Sequence, residues 1–208
     1  MKIFLLGASG MIGSRILAEA VSRGHEVVAG ARHPEKIAAG KGVTAVKADL
    51  SDAATLARHA AAADVIVSAV SPRNGGDPVA EADAIGAAVM GAAQASGKRL
   101  AMVGGAGSLN LPDGSPLLPH VPEPYQAEAR GFKQVYQTLK ASDLDWTFFA
   151  PAGTIAPGTR TGRFRLGQDV LISAADGTSS ISAEDYAAAF VDELETPKNR
   201  RSIMTIGY

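Results

Sequence analysis

The stretch Gly7-Ala8-Ser9-Gly10-Met11-Ile12-Gly13 decides how this chain is read. Lys2-Ile3-Phe4-Leu5-Leu6, just before it, is a short apolar run rich in strand formers. After it, Ile12, Ile16, Leu17, Ala20 and Val21 recur at helical spacing, and Gly24 stands where a helix would stop. The order is strand, glycine turn, helix. In that order each glycine has its own task. Gly7 lets the chain turn sharply out of the strand, Gly10 lets a pyrophosphate approach bare backbone, and Gly13 lets the helix lie close to the sheet. Open N–H groups and the positive end of the helix then favour an anion. The turn predicts a dinucleotide site at the start of the chain.

Outward from the turn, apolar strand-like runs alternate with alanine-rich helical ones, the pattern of a parallel sheet covered on both faces. Strands are predicted over residues 26–31, 43–47, 64–69, 99–103 and 145–149. Helices are predicted over 52–62 with Ser51 or Asp52 as cap, over 78–96 ending at Gly97, and over 123–142. The many alanines and glycines of the second of these suggest close packing on the sheet. Residues 104–122 form a long loop rich in Gly and Pro. After Pro151 the alternation breaks down: residues 161–172 look like a hairpin or short strands, Ser182 to Asp185 cap a helix reaching Glu195, and 202–206 form a last strand. The expected fold is α/β, a doubly wound Rossmann-type sheet in one domain over residues 1–208. Residues 1–150 would be the dinucleotide-binding core and 151–208 a small elaboration over the strand ends, where ligands of such sheets bind.

Composition narrows the function. With 20 Lys and Arg against 21 Asp and Glu the net charge is −1, which gives no general attraction to nucleic acid or anionic lipid. The one basic cluster, Lys198-Asn199-Arg200-Arg201, reads as a solvated loop. No cysteine is present, so disulfides, thiolate metal sites and cysteine nucleophiles are excluded, as fits a reducing compartment. The apolar run after Lys2 is too short for a signal peptide, and no stretch approaches the roughly 20 apolar residues that span a bilayer. The expected location is cytoplasmic. No metal site is expected: His25, His33, His59 and His120 show no ligand spacing, and only His120 falls in the 104–122 loop.

The second strand ends at Ala31-Arg32 without an acidic residue. A site for NAD usually carries Asp or Glu about 20 residues past the glycines, whereas one for NADP has an arginine nearby. Arg32, with Lys36 in reach, can pair bidentately with a 2′-phosphate, so NADP(H) is expected over NAD(H). Asp49 and Leu50 follow the third strand, where they either flank adenine or serve as turn and core residues. Ala69-Val70-Ser71-Pro72 ends the fourth strand, where small residues let backbone pass the nicotinamide ribose, or merely make a turn. Tyr136 and Lys140 have the Tyr-x-x-x-Lys spacing of a proton-donating pair. They sit near the end of a helix leading into a strand whose far end is the ligand edge, so they belong to the opposite edge. Tyr125, in the first turn of that helix, is on the correct edge, but its i+4 residue is Ala129 instead of lysine. No Gly-x-Ser-x-Gly elbow and no Walker lysine occurs.

These residues resemble the NmrA-like, atypical short-chain dehydrogenase/reductase group. The likeness lies in the glycine turn, Gly24-His25-Glu26-Val27, Ala31-Arg32 and Ala48-Asp49-Leu50. Val103 to Ser108, Leu144 to Pro151, Thr161-Gly162, Leu166-Gly167 and Ile181 to Ala187 narrow it to small bacterial proteins proposed to be NADH-flavin reductases, relatives of the flavin/biliverdin reductase type. The resemblance implies that Gly7, Ser9, Gly10, Met11 and Ile12 cradle phosphates, and that Arg32 holds the 2′-phosphate. It implies that Asp49 and Leu50 flank adenine, that Ala69, Val70 and Ser71 line the ribose, and that Gly104, Pro151, Ala152 and Gly153 border the nicotinamide. The Ser-Tyr-Lys set of fully catalytic short-chain reductases is incomplete: its serine slot is glycine near Gly105 and its lysine slot is Ala129. Tyr125 and Ser108 are the remaining catalytic candidates. The expected reaction is hydride transfer to a planar small-molecule acceptor such as a flavin or quinone, which needs little protein acid. The alternatives are an NADP(H)-sensing binding protein without turnover, or a reductase or isomerase for one secondary metabolite. Nucleic acid and membrane are not expected partners, and the protein would act as a monomer or homodimer.

Overall fold

A computed structural model describes residues 1–73 and 75–208. Strand β1 (Lys2–Leu6) leads through the glycine turn into helix α1 (Met11–Ser22), and β2 (Glu26–Ala31), β3 (Val43–Lys47), α2 (Ala53–Ala61) and β4 (Val65–Ser68) follow. The chain continues with α3 (Pro78–Ser96), β5 (Arg99–Val103), α4 (Glu123–Ala141) and β6 (Trp146–Ala150). Its last part holds β7 (Thr154–Ala156), β8 (Arg165–Gly167), β9 (Ser180–Ser182), α5 (Ala183–Glu195) and β10 (Ser202–Gly207). The main sheet runs β3-β2-β1-β4-β5-β6-β10-β8. All its pairings are parallel except β10 with β8.

Side chains alternate across a strand, so β1, buried on both faces, feeds two cores. Ile3 and Leu5 face the side covered by α1 and α5, where Ile16, Leu17, Tyr186 and Phe190 meet them. Phe4 and Leu6 face the side of α2, α3 and α4, with Leu56, Ile85, Val89, Phe132 and Leu139. The small residues of α3 serve a helix–helix contact as well as the sheet. A Cβ on Gly131 of α4 would lie 2.6 Å from the Ala82 Cβ, and one on Gly86 would lie 2.9 Å from Val135.

The last third of the chain departs from its expected role. Helix α5 and β10 are part of the main layers: β10 pairs with β6 through Ile203–Phe148 and Met204–Phe149. Along β10, Ile203 enters one core while Met204 and Ile206 enter the other, which requires a strand buried on both faces. Residues 161–172 form no hairpin. Their one strand, β8, pairs antiparallel with β10, and β7 pairs in parallel with β9 in a separate two-stranded sheet. Strand β6 is shifted one residue along from 145–149, because Ala150 still pairs with Thr205.

Polar side chains tie this part down. Arg99, buried on β5, meets Glu193 of α5 at 2.7 Å and donates to Thr147 Oγ1 at 2.8 Å. Glu193 also accepts from the Lys198 and Asn199 N–H groups, and Arg200 pairs with Asp145, so the basic loop is pinned at both ends. At the start of α5, Ser182 Oγ accepts from the Asp185 N–H. Asp185 is fully buried and accepts from the Thr161 N–H at 2.8 Å, the Thr161 hydroxyl at 2.6 Å, the Gly162 N–H at 2.8 Å and the Tyr208 hydroxyl at 2.8 Å. Burial would raise its pKa, but the hydrogen bonds from Thr161, Gly162 and Tyr208 outweigh it and hold the carboxyl below its ordinary value. A depressed carboxylate stabilises the fold above its unfolded pKa, near 4, and that contribution is lost as pH falls through the folded value. Asp185→Asn is expected to cost roughly 2–3 kcal/mol at pH 7. In urea unfolding at a series of pH values, the gap between wild type and variant should narrow below about pH 4.

Candidate functional site

The glycine turn sits where β1 leaves the centre of the sheet. Gly7 has φ +81°, and a Cβ there would lie 2.6 Å from the Ala69 carbonyl oxygen. A Cβ on Gly13 would lie 2.1 Å from the Gly7 carbonyl oxygen. These two glycines close the turn against the exit of β4 and against α1. Gly10 differs: the nearest atom to a Cβ there is the Gly7 oxygen at 3.3 Å, so its missing side chain leaves room for something outside the chain. Gly10 is also the N-cap of α1 and supplies no side-chain cap, whereas Asp52, Asp77 and Ser182 cap α2, α3 and α5. The first N–H groups of α1 are thus open at the positive end of the helix, a site suited to a phosphate.

A cleft of about 360 Å³ runs from this turn along the C-terminal ends of β1 to β4. Gly7, Ser9, Gly10, Arg32, Asp49, Leu50, Ala69, Val70 and Ser71 all line it. Met11 and Ile12 do not; they form the first turn of α1 behind Gly10, so only their backbone N–H groups bear on an anion there. Arg32 is exposed and, among the described residues, makes no hydrogen bond or ion pair. Lys36 ends the short helical turn Pro34–Lys36 and does not line the cleft. Asp49 makes the expected turn and also borders the cleft. Its carboxylate accepts from the Ser51 N–H at 2.9 Å and hydroxyl at 2.7 Å. The Ser51 bonds, then the charges of Arg32 and Lys47, hold its carboxyl below the usual range.

A second pocket, of about 320 Å³, adjoins the first. Tyr125, 59% exposed, lines it with Pro151, Ala152 and Gly153; Leu117, Val121, Phe132, Ile155 and Leu171 make it mainly apolar. Two chain segments form its wall and are joined by backbone. The Asn110 N–H donates to the Asp169 carbonyl at 2.7 Å, and the Leu171 N–H donates to the Asn110 carbonyl at 2.8 Å. Gly104 lies beneath the wall, where a Cβ would be 2.1 Å from the Phe148 ring, and Gly105, Ala106 and Gly107 line the pocket in its place. Ser108 also fails to reach it: its side chain is buried, and among the described residues its hydroxyl has no hydrogen-bond partner. Ala129 lines the pocket one helical turn after Tyr125, so no lysine supports that hydroxyl. Tyr136 packs on Trp146 and Phe148 with ring centroids 6.0 and 5.2 Å apart, beside the first part of β6 and outside the pocket. Burial raises its hydroxyl pKa.

Arg73, which sequence reasoning missed, lines both clefts. The signal was there: it is the first cation past the end of β4, as Arg32 is past the end of β2. A larger hollow of about 600 Å³ lies between the C-terminal ends of α3 and α4, at Gly97, Ala141 and Asp145. Helix C-termini present carbonyl oxygens, which disfavour phosphate there. Among the described residues no group of three or more His, Asp or Glu is placed to hold a metal ion.

Comparison with known proteins gives the family and the fold. A protein from Burkholderia pseudomallei, proposed to be exported, is 45% identical over the full length of both chains, with a TM-score of 0.90. A protein from Bacteroides thetaiotaomicron, proposed to be an epimerase, is 41% identical, with a TM-score of 0.92 over 100% of this chain and 96% of that one. One from Streptococcus pneumoniae, proposed to be an NADH-flavin reductase, is 29% identical, with a TM-score of 0.85 over 100% of this chain and 99% of that one. The family described as NAD(P)H-binding matches residues 7–204, from the first glycine of the turn into the last strand, and this chain belongs to it.

Proposed function

We propose that this protein is an NADPH-dependent oxidoreductase that passes hydride from the nicotinamide to a planar acceptor such as a flavin or quinone. One observation carries the reading: the glycine-turn cleft over the ends of β1 to β4 adjoins, at Arg73, an apolar pocket over the neighbouring ends of β5 and β6. The space left at Gly10 and the uncapped start of α1 fit a dinucleotide diphosphate. When bound, the reduced nicotinamide supplies the hydride. Gly7, Ser9 and Gly10, with the N–H groups of Met11 and Ile12, would hold the diphosphate, and Arg32 the 2′-phosphate. Asp49 and Leu50 would flank the adenine, and Ala69, Val70 and Ser71 the ribose. Pro151, Ala152 and Gly153, backed by Gly104, would orient the nicotinamide toward the second pocket. Tyr125 would contact the acceptor there.

The wall that joins residues 104–122 to 165–172 excludes water from one side of that pocket and supplies proximity and orientation. Little proton donation is asked of the protein, since a flavin or quinone delocalises the added charge. The proposed activity of the Streptococcus pneumoniae relative supports this choice of acceptor. No helix among the described residues is long and apolar enough to cross a membrane. A cysteine-free chain fits the reducing cytoplasm, where we place it.

A second reading, an NADP(H) sensor without turnover, is favoured by Ala129 in the lysine position and by the burial of Ser108. A third, an isomerase or reductase for one metabolite, is favoured by the Bacteroides thetaiotaomicron relative's proposed activity. Stopped-flow oxidation of NADPH with FMN, FAD or a naphthoquinone in trace oxygen separates them. The account expects acceptor-dependent oxidation well above the protein-free rate; tight NADPH binding with no turnover on any acceptor would favour the sensor. Arg32→Ala is expected to weaken NADPH roughly tenfold more than NADH, the loss of one charge-assisted pair. Equal weakening of both nucleotides, measured by fluorescence titration, would remove Arg32 from the 2′-phosphate.

A further inference from the structure

The acceptor pocket has one strongly cationic side chain on its lining, and that side chain is only partly committed. Arg73 is 68% exposed; its Nε lies 3.5 Å from Glu128 Oε2, beyond hydrogen-bonding length. Among the described residues its two terminal Nη groups make no hydrogen bond, and its nearest approach to Glu128 is through Nε. Those two nitrogens form the planar fork that grips a phosphate or carboxylate in bidentate fashion. Glu128, on α4 one residue before Ala129, faces the same pocket and holds the guanidinium electrostatically through its inner nitrogen. The fork therefore stands open where an apolar pocket meets the nucleotide cleft.

On the reading that this pocket receives the hydride acceptor, we infer that Arg73 selects acceptors carrying an anionic tail, such as the phosphate ester of FMN. The nucleotide's own phosphates would have other partners. The diphosphate has Gly7 to Gly10 and the start of α1, and the 2′-phosphate has Arg32. The aromatic part of the acceptor would lie on the apolar lining of Phe132, Val121 and Leu171, and its tail would reach the Arg73 fork. Glu128 sharpens the choice. With Arg73 present, Glu128 positions the cation; with Arg73 removed, it faces the tail as an unshielded like charge. A neutral acceptor meets neither effect.

The test compares FMN with riboflavin, which share the isoalloxazine ring and differ by the phosphate. A naphthoquinone and its carboxylic acid form a second pair, which separates phosphate from carboxylate recognition. Both KM in NADPH oxidation and Kd from flavin fluorescence quenching with NADP⁺ present are measured. Wild type should favour FMN over riboflavin by roughly tenfold at low salt, with the preference shrinking as ionic strength rises. Arg73→Ala should abolish or invert the FMN-to-riboflavin ratio, Arg73→Lys should keep part of it, and Glu128→Gln should keep or enlarge it. Equal wild-type affinity for the two flavins would overturn the assignment. So would an Arg73→Ala variant that loses NADPH affinity more than tenfold while keeping its flavin ratio, since Arg73 would then belong to the nucleotide. Flavins that bind with the predicted ratio but are not reduced would instead overturn the hydride-transfer reading and leave Arg73 as the anion-selecting residue.

Discussion

The structure depends on one close approach of backbone to backbone. Gly7 comes so near the Ala69–Val70 peptide, and Gly13 so near the Gly7 carbonyl, that no side chain fits at either point. This contact sets the angle at which α1 leaves the sheet and the gap between the ends of β1 and β4. The same angle aims the uncapped end of α1 over the strand ends. Packing and ligand chemistry are thus fixed by the same few atoms. Gly10 is the exception among the three glycines, because its bareness serves space that the protein itself does not fill.

Around that contact the chain builds a sheet buried on both faces, and the second half of the molecule completes it. Two buried polar centres hold the late elements in place: Arg99 with Glu193 between β5 and α5, and Asp185 with Thr161, Gly162 and Tyr208 at the start of α5. A buried charge is tolerated only when its hydrogen bonds are satisfied, and Asp185 accepts four. Thr161 and Gly162, so anchored, lead into β8, and Leu171 beyond it lines the second pocket. The second pocket is therefore carried by the same sheet as the glycine-turn cleft.

The amino-acid pattern made the first 150 residues legible because strand and helix periodicities alternate cleanly there and α2 and α3 open on aspartate caps of a familiar kind. Beyond Pro151 the strands β7, β8 and β9 are three residues long, too short to show a period, and their partners are distant in sequence; only β10, at six residues, was long enough to be read. Strand β8 pairs with β10 some forty residues on, and no local signal reports that. The cleft was legible for a similar reason: Gly7, Gly10, Arg32, Asp49 and Ala69 each sit at the end of a predicted strand. Ser108 was not, since whether a loop serine faces a pocket or lies beneath its wall depends on packing across the loop. Arg73 was missed although it occupies the same kind of place as Arg32, because only the folded chain brings the second pocket to it.

Calorimetric titration of the folded protein with NADPH addresses the central claim most directly. One saturable site per chain is expected, with NADH weaker, and with binding lost in a Gly10→Val variant whose thermal unfolding matches wild type. Absence of any heat at millimolar nucleotide, or undiminished binding in Gly10→Val, would contradict the account.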